Sequence, residues 1–207
     1  MLQDCFALLG EPRRPWIDPT PLKTRFLQLS SQTHPDRFHD APEEERTKAN
    51  DCYMELNAAY QTLREPKDRL LHLLELEVGT RPKDIQRIPP GTMDLFVEIG
   101  QACREVDALL VRKGAAASPL VKVQLIQSSR EWIQKLGALQ AAVNVKRDEF
   151  FLGLQKMNPT WESAEGQNPE VRRTTLPLEP LEMSYRGLSY VARWTDQIQQ
   201  RLSELAA

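Results

Sequence analysis

A histidine, a proline and an aspartate stand together at His34-Pro35-Asp36, within the stretch "LSSQTHPDRF". An imidazole close to a carboxylate could hold a metal ion, transfer a proton, or present polar groups to another protein. The residues around the tripeptide and the elements that hold it decide among these three chemistries.

A metal site is weakly supported by the residue types and their spacing. The histidines are His34, His39 and His72, and the helical H-E-x-x-H spacing of zinc enzymes does not occur. Catalysis is no better supported, because the flanking residues are polar and the sequence has no G-x-S-x-G, no G-x-G-x-x-G and no phosphate-binding loop. We therefore expect no metal, no cofactor and no enzymatic activity.

The composition excludes a general affinity for polyanions. Of 207 residues, 27 are basic and 29 acidic, which gives a net charge of −2, so we expect neither a nucleic acid nor a membrane as partner.

The three cysteines have no C-x-x-C spacing and predict a reducing compartment. The first residues lack the pattern of a signal peptide, and no apolar run reaches about 18 residues. We expect a cytoplasmic protein.

Two long amphipathic helices flank the tripeptide. Asp18 followed by Pro19 predicts the start of the first, because the carboxylate can cap free N–H groups and proline needs no donor at the first position. This helix must end near Thr33, because Pro35 disfavours the α conformation in the residue before it. Apolar stripes at helical spacing are Leu22, Phe26 and Leu29 in the first helix and Leu56, Tyr60 and Leu63 in the second. They predict an antiparallel hairpin with the tripeptide at its tip.

The rest of the chain also predicts helices and no strand. Residues 79–92 are rich in proline and glycine and predict a linker. Beyond them, apolar residues at spacings of three and four predict three helices, with a long loop at about 158–179. We predict an all-α protein with a helical domain at 1–78, a linker at 79–92 and a three-helix bundle at 93–207.

An ordinary turn explains the tripeptide taken alone, since Pro35 ends one helix and Asp36 can cap the next. Its place at the tip of a hairpin adds a second interpretation. A tip is displayed to solvent with charges that its own fold leaves unpaired, and this arrangement suits recognition by a partner protein.

The pattern as a whole resembles the J domain, the module through which co-chaperones stimulate the ATPase of seventy-kilodalton heat-shock chaperones. The segments "CFALLGEP", "LKTRFLQLSSQTHPDRF" and "LNAAYQTLREPKDR" are similar to the HscB type of J protein, which acts in iron–sulfur cluster assembly. That family also carries a C-terminal three-helix bundle. The resemblance implies two partners: a chaperone of the HscA/DnaK class and an iron–sulfur scaffold protein of the IscU type.

The resemblance also implies which residues meet the chaperone. The loop that triggers ATP hydrolysis would consist of His34, Pro35 and Asp36. The basic docking face would consist of Lys23, Arg25 and Arg37.

The client would bind the first helix of the bundle. The residues that the resemblance implies are Phe96, Val97, Gly100, Gln101 and Arg104. The chain departs from the family here, because Gly100 stands where a large apolar side chain is usual, and Gln101 and Arg104 stand where acidic residues are usual. Phe96 and Val97 could instead extend the apolar seam of the helix and be covered by a neighbouring helix.

Two functions remain open at this point. The first is a co-chaperone that stimulates the chaperone's ATPase and delivers the scaffold protein to it. The second is a J-like adaptor that binds a partner, or another client, without stimulating ATP hydrolysis.

Overall fold

The structure, a computed structural model, describes residues 2–82, 88–115 and 117–206. Within these ranges the chain forms α-helices and one short 3₁₀ helix but no strand, so the predicted all-α fold is confirmed. The helices are α1 (Cys5–Leu9), α2 (Pro19–Thr33), α3 (Glu43–Arg64), α4 (Pro66–Val78), α5 (Met93–Ala115), α6 (Pro119–Ser163), α7 (Pro169–Thr175) and α8 (Leu178–Ala206). The 3₁₀ helix, Pro35–Phe38, lies between α2 and α3.

The chain divides into two compact units that are not continuous in sequence. The first unit contains Met1–Asp84 and Leu152–Tyr185, and the second contains Ile85–Phe151 and Arg186–Ala207. The first unit therefore includes a segment that the sequence had grouped with the bundle. The boundaries 1–78, 79–92 and 93–207 stay a prediction, because residues 83–87 of the predicted linker lie outside the described part of the chain.

The ends of α2 follow from local chemistry. The Asp18 carboxylate accepts a hydrogen bond from the Thr20 amide at 2.9 Å, and Pro19 occupies the first turn. The helix ends at Thr33, and His34 after it is extended, with φ −60° and ψ 129°. An extended residue before Pro35 is what proline requires. The predicted start and end of this helix are confirmed.

Helices α2 and α3 pack antiparallel in the first unit. The rings of Phe26 and Tyr60 stack with centroids 4.2 Å apart, and nearer the tip the His34 ring meets that of Tyr53. Leu22 and Leu56 are buried, with 1% and 5% of their surface exposed. The hairpin therefore has its own apolar interface, and it places the tripeptide at the turn.

A buried arginine joins the connection after α1 to the corner between α3 and α4. Arg69 donates from Nε to the Pro15 carbonyl at 2.9 Å and from Nη1 to the Leu63 carbonyl at 2.6 Å. Burial lowers the pKa of Arg69 to about 10, and the Glu65 carboxylate partly opposes this change. The side chain thus remains charged at neutral pH and binds two carbonyls that have no helical partner.

The second unit is a three-helix bundle, as predicted. Its core contains side chains from three helices: Ile99, Ala102, Val106 and Leu109 of α5, Leu125, Leu136 and Val143 of α6, and Val191, Trp194 and Ile198 of α8. In α5 and α8 these residues recur at spacings of three and four, which is the seam that the sequence shows. Those of α6 are 11 and 7 positions apart, close to whole numbers of helical turns.

The predicted loop at 158–179 is wrong for most of its length. Helix α6 continues through Pro159 to Ser163, and residues 169–175 form α7. The prolines suggested a loop, but Pro169 lies in the first turn of α7, where its missing N–H costs nothing. The Asn168 side chain caps this helix by accepting from the Val171 amide at 2.9 Å.

Charged and amide groups fix this segment within the first unit. Arg172 binds the Glu77 carboxylate through two hydrogen bonds, Nη2 to Oε1 at 2.7 Å and Nε to Oε2 at 2.9 Å. Arg13 reaches Glu77 Oε1 at 3.2 Å. The Asn158 amide accepts from the Trp16 N–H at 3.0 Å and donates to the Trp16 carbonyl at 2.9 Å. These contacts join parts of the chain that lie far apart in sequence.

Gly187 of α8 allows a close approach within the second unit. A Cβ at this position would overlap the ring of Phe150 in α6. Gly187→Ala should therefore lower the free energy of unfolding by about 1–2 kcal/mol, because moving the ring costs more than alanine gains as a helix former. At Gly137 an added Cβ meets nothing within 4 Å. Gly137→Ala should therefore raise the free energy of unfolding by up to about 1 kcal/mol, because alanine is the better helix former. Urea denaturation measures both; a change of the same sign in both variants would contradict this packing.

Candidate functional site

The tripeptide lies at the tip of the α2–α3 hairpin, exposed to solvent. His34 ends α2 and also begins the 3₁₀ helix, in which Pro35 takes the first position. The side chain of Asp36 is 90% exposed and that of His34 is 44% exposed. The loop is thus held at both ends by helices while its polar groups face outward.

Two contacts set the position of the His34 ring. Its Nδ1 accepts a hydrogen bond from the Asp36 amide at 3.3 Å, and its plane meets the Tyr53 ring edge-on, with centroids 5.2 Å apart. A nitrogen that accepts carries no proton, so Nε2 carries it in the neutral ring. The Asp36 carboxylate lies 3.5 Å from the same Nδ1, and only a protonated ring would pair with it. Tyr53 was not singled out from the sequence, although it lies on the helix that faces His34.

The surroundings of the tripeptide do not form a metal site. In residues 2–82, 88–115 and 117–206, no three histidine, cysteine, aspartate or glutamate side chains come together in a way that could hold an ion. The Asp36 carboxylate is also almost fully hydrated, which is the opposite of the desolvated environment that tunes a catalytic acid or base. The arrangement can present a carboxylate and an imidazole to a partner.

The three basic residues predicted for docking have different surroundings. Lys23 is exposed and forms no ion pair with any residue that the structure describes. Arg25 donates from Nε to the Leu9 carbonyl at 3.2 Å, at the end of α1. Arg37 donates from Nη1 to the Ser31 carbonyl at 3.3 Å, in the last turn of α2. Both arginines therefore satisfy helix C-termini within the unit.

These residues also do not form one continuous face. Lys23 and Arg25 are two positions apart in α2, which corresponds to roughly 200° around the helix. Arg37 follows the tripeptide in the 3₁₀ helix. The role of all three in chaperone docking stays a prediction. Lys23 lies in the first half of α2, away from the loop.

In the second unit, the predicted client residues lie on the outer surface of α5. Phe96 is 41% exposed and Val97 is 54% exposed, so a neighbouring helix does not cover them. Gln101 and Arg104 are exposed as well, and Gly100 is partly exposed. The Gln101 amide donates to the Glu105 carboxylate at 2.9 Å. The structure brings the predicted residues together on one side of the helix, and their role in client binding stays a prediction.

A groove between α5 and α8 contains most of these residues and adds others. Its volume is about 360 Å³, and its lining consists of Phe96, Val97, Gly100 and Arg104 from α5 with Tyr190, Arg193, Trp194 and Gln197 from α8. The α8 residues were missed from the sequence. Their positions, at i, i+3, i+4 and i+7, place them on one face of α8, but that spacing alone does not show which helix the face meets.

No described helix is long and apolar enough to cross a membrane.

No model of a protein family matches the chain. Two curated relatives are similar to it in sequence. The co-chaperone protein HscB homolog of Chromobacterium violaceum is 34% identical over 112 residues, which cover 52% of this chain and 64% of that protein, or slightly less than two thirds of its length. The co-chaperone protein HscB homolog of Cupriavidus taiwanensis is 34% identical over 137 residues, which cover 66% of this chain and 76% of that protein.

Two solved structures are similar in fold. Chaperone HscB from Vibrio cholerae matches with a TM-score of 0.51 at 22% identity and covers 94% of this chain and 99% of that one. Human co-chaperone protein HscB matches with a TM-score of 0.57 at 20% identity and covers 96% of this chain and 81% of that one. Both likenesses extend over both units.

Proposed function

The chain belongs to the HscB family of co-chaperones, the J proteins of iron–sulfur cluster assembly, and from this we propose which partners it meets and with which residues. It stimulates ATP hydrolysis by a chaperone of the HscA/DnaK class and delivers an iron–sulfur scaffold protein of the IscU type to it. The reaction takes place in the cytoplasm. The chain itself supplies binding surfaces, and the chemistry belongs to the chaperone.

The position of His34-Pro35-Asp36 is the observation that carries the proposal. The Asp36 carboxylate is 90% exposed at the tip of a hairpin, where it can accept a charge-assisted hydrogen bond from an arginine of the chaperone. Pro35 and the contacts of His34 with Asp36 and Tyr53 fix the loop before binding. Less conformational entropy is therefore lost on docking.

The basic residues contribute in two ways under this proposal. Lys23 is free to meet an acidic surface of the chaperone and to speed the encounter. Arg25 and Arg37 hold α1 and the tip of the hairpin in place through the carbonyls that they bind. Their positive charge still adds to the potential around the tripeptide.

The second unit binds the scaffold protein through the surface around Phe96 and Val97. Exposed apolar side chains beside a groove are typical of a binding surface. Gly100, Gln101 and Arg104 complete the predicted contact on the same helix. We assign this surface to the client because the resemblance places client binding on the first bundle helix.

Phe96→Ser should weaken binding of the scaffold protein by about tenfold or more, because a large aromatic anchor is lost from the contact. The helical circular dichroism signal should not change, since Phe96 is 41% exposed. Val111→Ser is the matched control, because Val111 is 74% exposed on the same helix but does not line the groove. Isothermal titration with the purified scaffold measures the affinities. Equal weakening by both variants, or loss of helical signal in Phe96→Ser, would contradict the assignment.

The proposed function as a whole is tested by ATP hydrolysis in a single turnover. The chaperone of the HscA/DnaK class from the same genome is mixed with labelled ATP alone, with the chain, and with the chain and the scaffold together. We expect faster hydrolysis with the chain and a further increase with the scaffold. Binding of the chaperone with no change in rate would favour the adaptor function instead.

A further inference from the structure

The groove between α5 and α8 is positively charged. Among its eight lining residues, two are arginines, Arg104 and Arg193, and none is acidic. Neither arginine forms an ion pair with a residue in the described part of the chain. By contrast, Arg201, further along α8, is paired with Asp107 of α5 at 2.8 Å. The fold thus neutralises one arginine between these helices and leaves two unneutralised at the groove.

The positions of the two arginines make them available to a bound molecule. Arg104 extends over Gly100, where its Nη1 lies 3.6 Å from the place that a Cβ would occupy. The guanidinium of Arg193 lies 5.7 Å from the centre of the Tyr190 ring, close enough for a cation–π contact. Each guanidinium lines the groove, and a guanidinium can bind a carboxylate through two parallel hydrogen bonds.

The floor of the groove is aromatic. Tyr190 and Trp194 are 7% and 3% exposed, their ring centres are 5.6 Å apart, and the exposed Phe96 meets Tyr190 edge-on at 6.3 Å. Gly100 carries no side chain of its own, so beside this floor the groove is bounded by the Arg104 guanidinium. A volume of about 360 Å³ suits one or two side chains. An occupant therefore needs an apolar side chain for the floor and negative charge for the sides.

We propose that this groove binds an acidic segment of the client, which places one large apolar side chain against the aromatic floor and carboxylates against Arg104 and Arg193. The inference rests on the proposed function, because it assigns the chemistry of the segment that the client surface selects. Charge complementarity favours this partner, and the same two arginines disfavour a basic one. Since both arginines are exposed, their contribution falls as salt rises.

Three short peptides with blocked ends test the charge preference on the full chain. Their sequences are Glu-Asp-Phe-Asp-Glu, Gln-Asn-Phe-Asn-Gln and Lys-Lys-Phe-Lys-Lys. All three keep the central phenylalanine, and their net charges are negative, zero and positive. Titration is followed by nitrogen–proton correlation spectra at low salt. We expect the acidic peptide to shift the Gly100 amide and the Trp194 indole signals and to bind about fivefold tighter than the neutral peptide. Equal binding of all three, or no shift of these signals by the acidic peptide, would overturn the proposal.

Charge reversal gives the second comparison. The double variant Arg104→Glu/Arg193→Glu should prefer the lysine peptide, whereas Arg104→Lys/Arg193→Lys should keep the preference for the acidic one, though more weakly. Retention of the acidic preference in the reversed variant would overturn the proposal. Stimulation of the chaperone by the wild-type chain, measured without peptide, reports the proposed function separately. If the chain prefers the acidic peptide but does not stimulate the chaperone, the co-chaperone role is refuted and the acidic segment is not. If the chain stimulates the chaperone but shows no preference among the peptides, the acidic segment is refuted and the co-chaperone role is not.

Discussion

His34→Gln should reduce the stimulated rate of ATP hydrolysis to that of the chaperone alone. The ring accepts from the Asp36 amide and packs against Tyr53, so its loss removes a contact group and also frees the loop that holds the Asp36 carboxylate. Anchors of this kind contribute about 2 kcal/mol or more to binding, or roughly 30-fold in affinity. The stability of the chain should change by less than about 1 kcal/mol, because the side chain is 44% exposed.

His39→Gln is the matched control for this experiment. His39 is exposed at the end of the 3₁₀ helix, outside the tripeptide, and the same change of residue type there should leave most of the stimulation intact. The two variants are compared in the single-turnover assay, with thermal unfolding to verify that both are folded. If His34→Gln stimulates as well as His39→Gln does, the tripeptide is not the trigger.

Arg172→Met should lower the free energy of unfolding by about 3–5 kcal/mol, because it leaves a buried carboxylate without its main partner. The side chain of Glu77 is only 3% exposed and accepts two hydrogen bonds from Arg172. Arg13 still reaches it at 3.2 Å, so the loss should fall near the lower end of that range. Urea denaturation measures the change. Trp161 is 1% exposed and lies beside Arg172. If the segment that contains α7 detaches before the rest of the chain unfolds, Trp161 should become exposed and its fluorescence should shift to longer wavelengths.

The neighbouring arginine provides the control for that prediction. Arg173 donates to the Glu77 backbone carbonyl at 3.0 Å and is exposed, so Arg173→Met should cost only about 1 kcal/mol. In the double variant Glu77→Leu/Arg172→Met neither charge is buried, and part of the stability should return. If Arg172→Met and Arg173→Met lower the free energy of unfolding by equal amounts, the buried pair of Glu77 and Arg172 does not hold the segment that contains α7.

Local signals in the sequence predicted the elements around the tripeptide. The cap at Asp18, the position of Pro19 and the constraint before Pro35 are properties of adjacent residues. The apolar stripes that pack α2 against α3 are likewise periodic within each helix. For these reasons the hairpin, its tip and the three-helix bundle could be inferred before any coordinates.

Contacts between distant parts of the chain could not be predicted in the same way. Arg172 and Glu77 are 95 residues apart, and a charged residue gives no periodic signal that it will be buried. The segment containing α7 was predicted as a loop because prolines in a helix's first turn resemble prolines that end one. The groove likewise depends on which faces of α5 and α8 meet, a property of two helices that neither shows alone.

The most direct test of the central claim is the ratio of two rates of ATP hydrolysis in a single turnover, measured for an HscA/DnaK-class chaperone with and without this chain. A co-chaperone should raise that rate by about tenfold or more, equivalent to roughly 1.4 kcal/mol of barrier. A ratio of one at chain concentrations that saturate the chaperone would contradict the co-chaperone role and leave the adaptor function in its place.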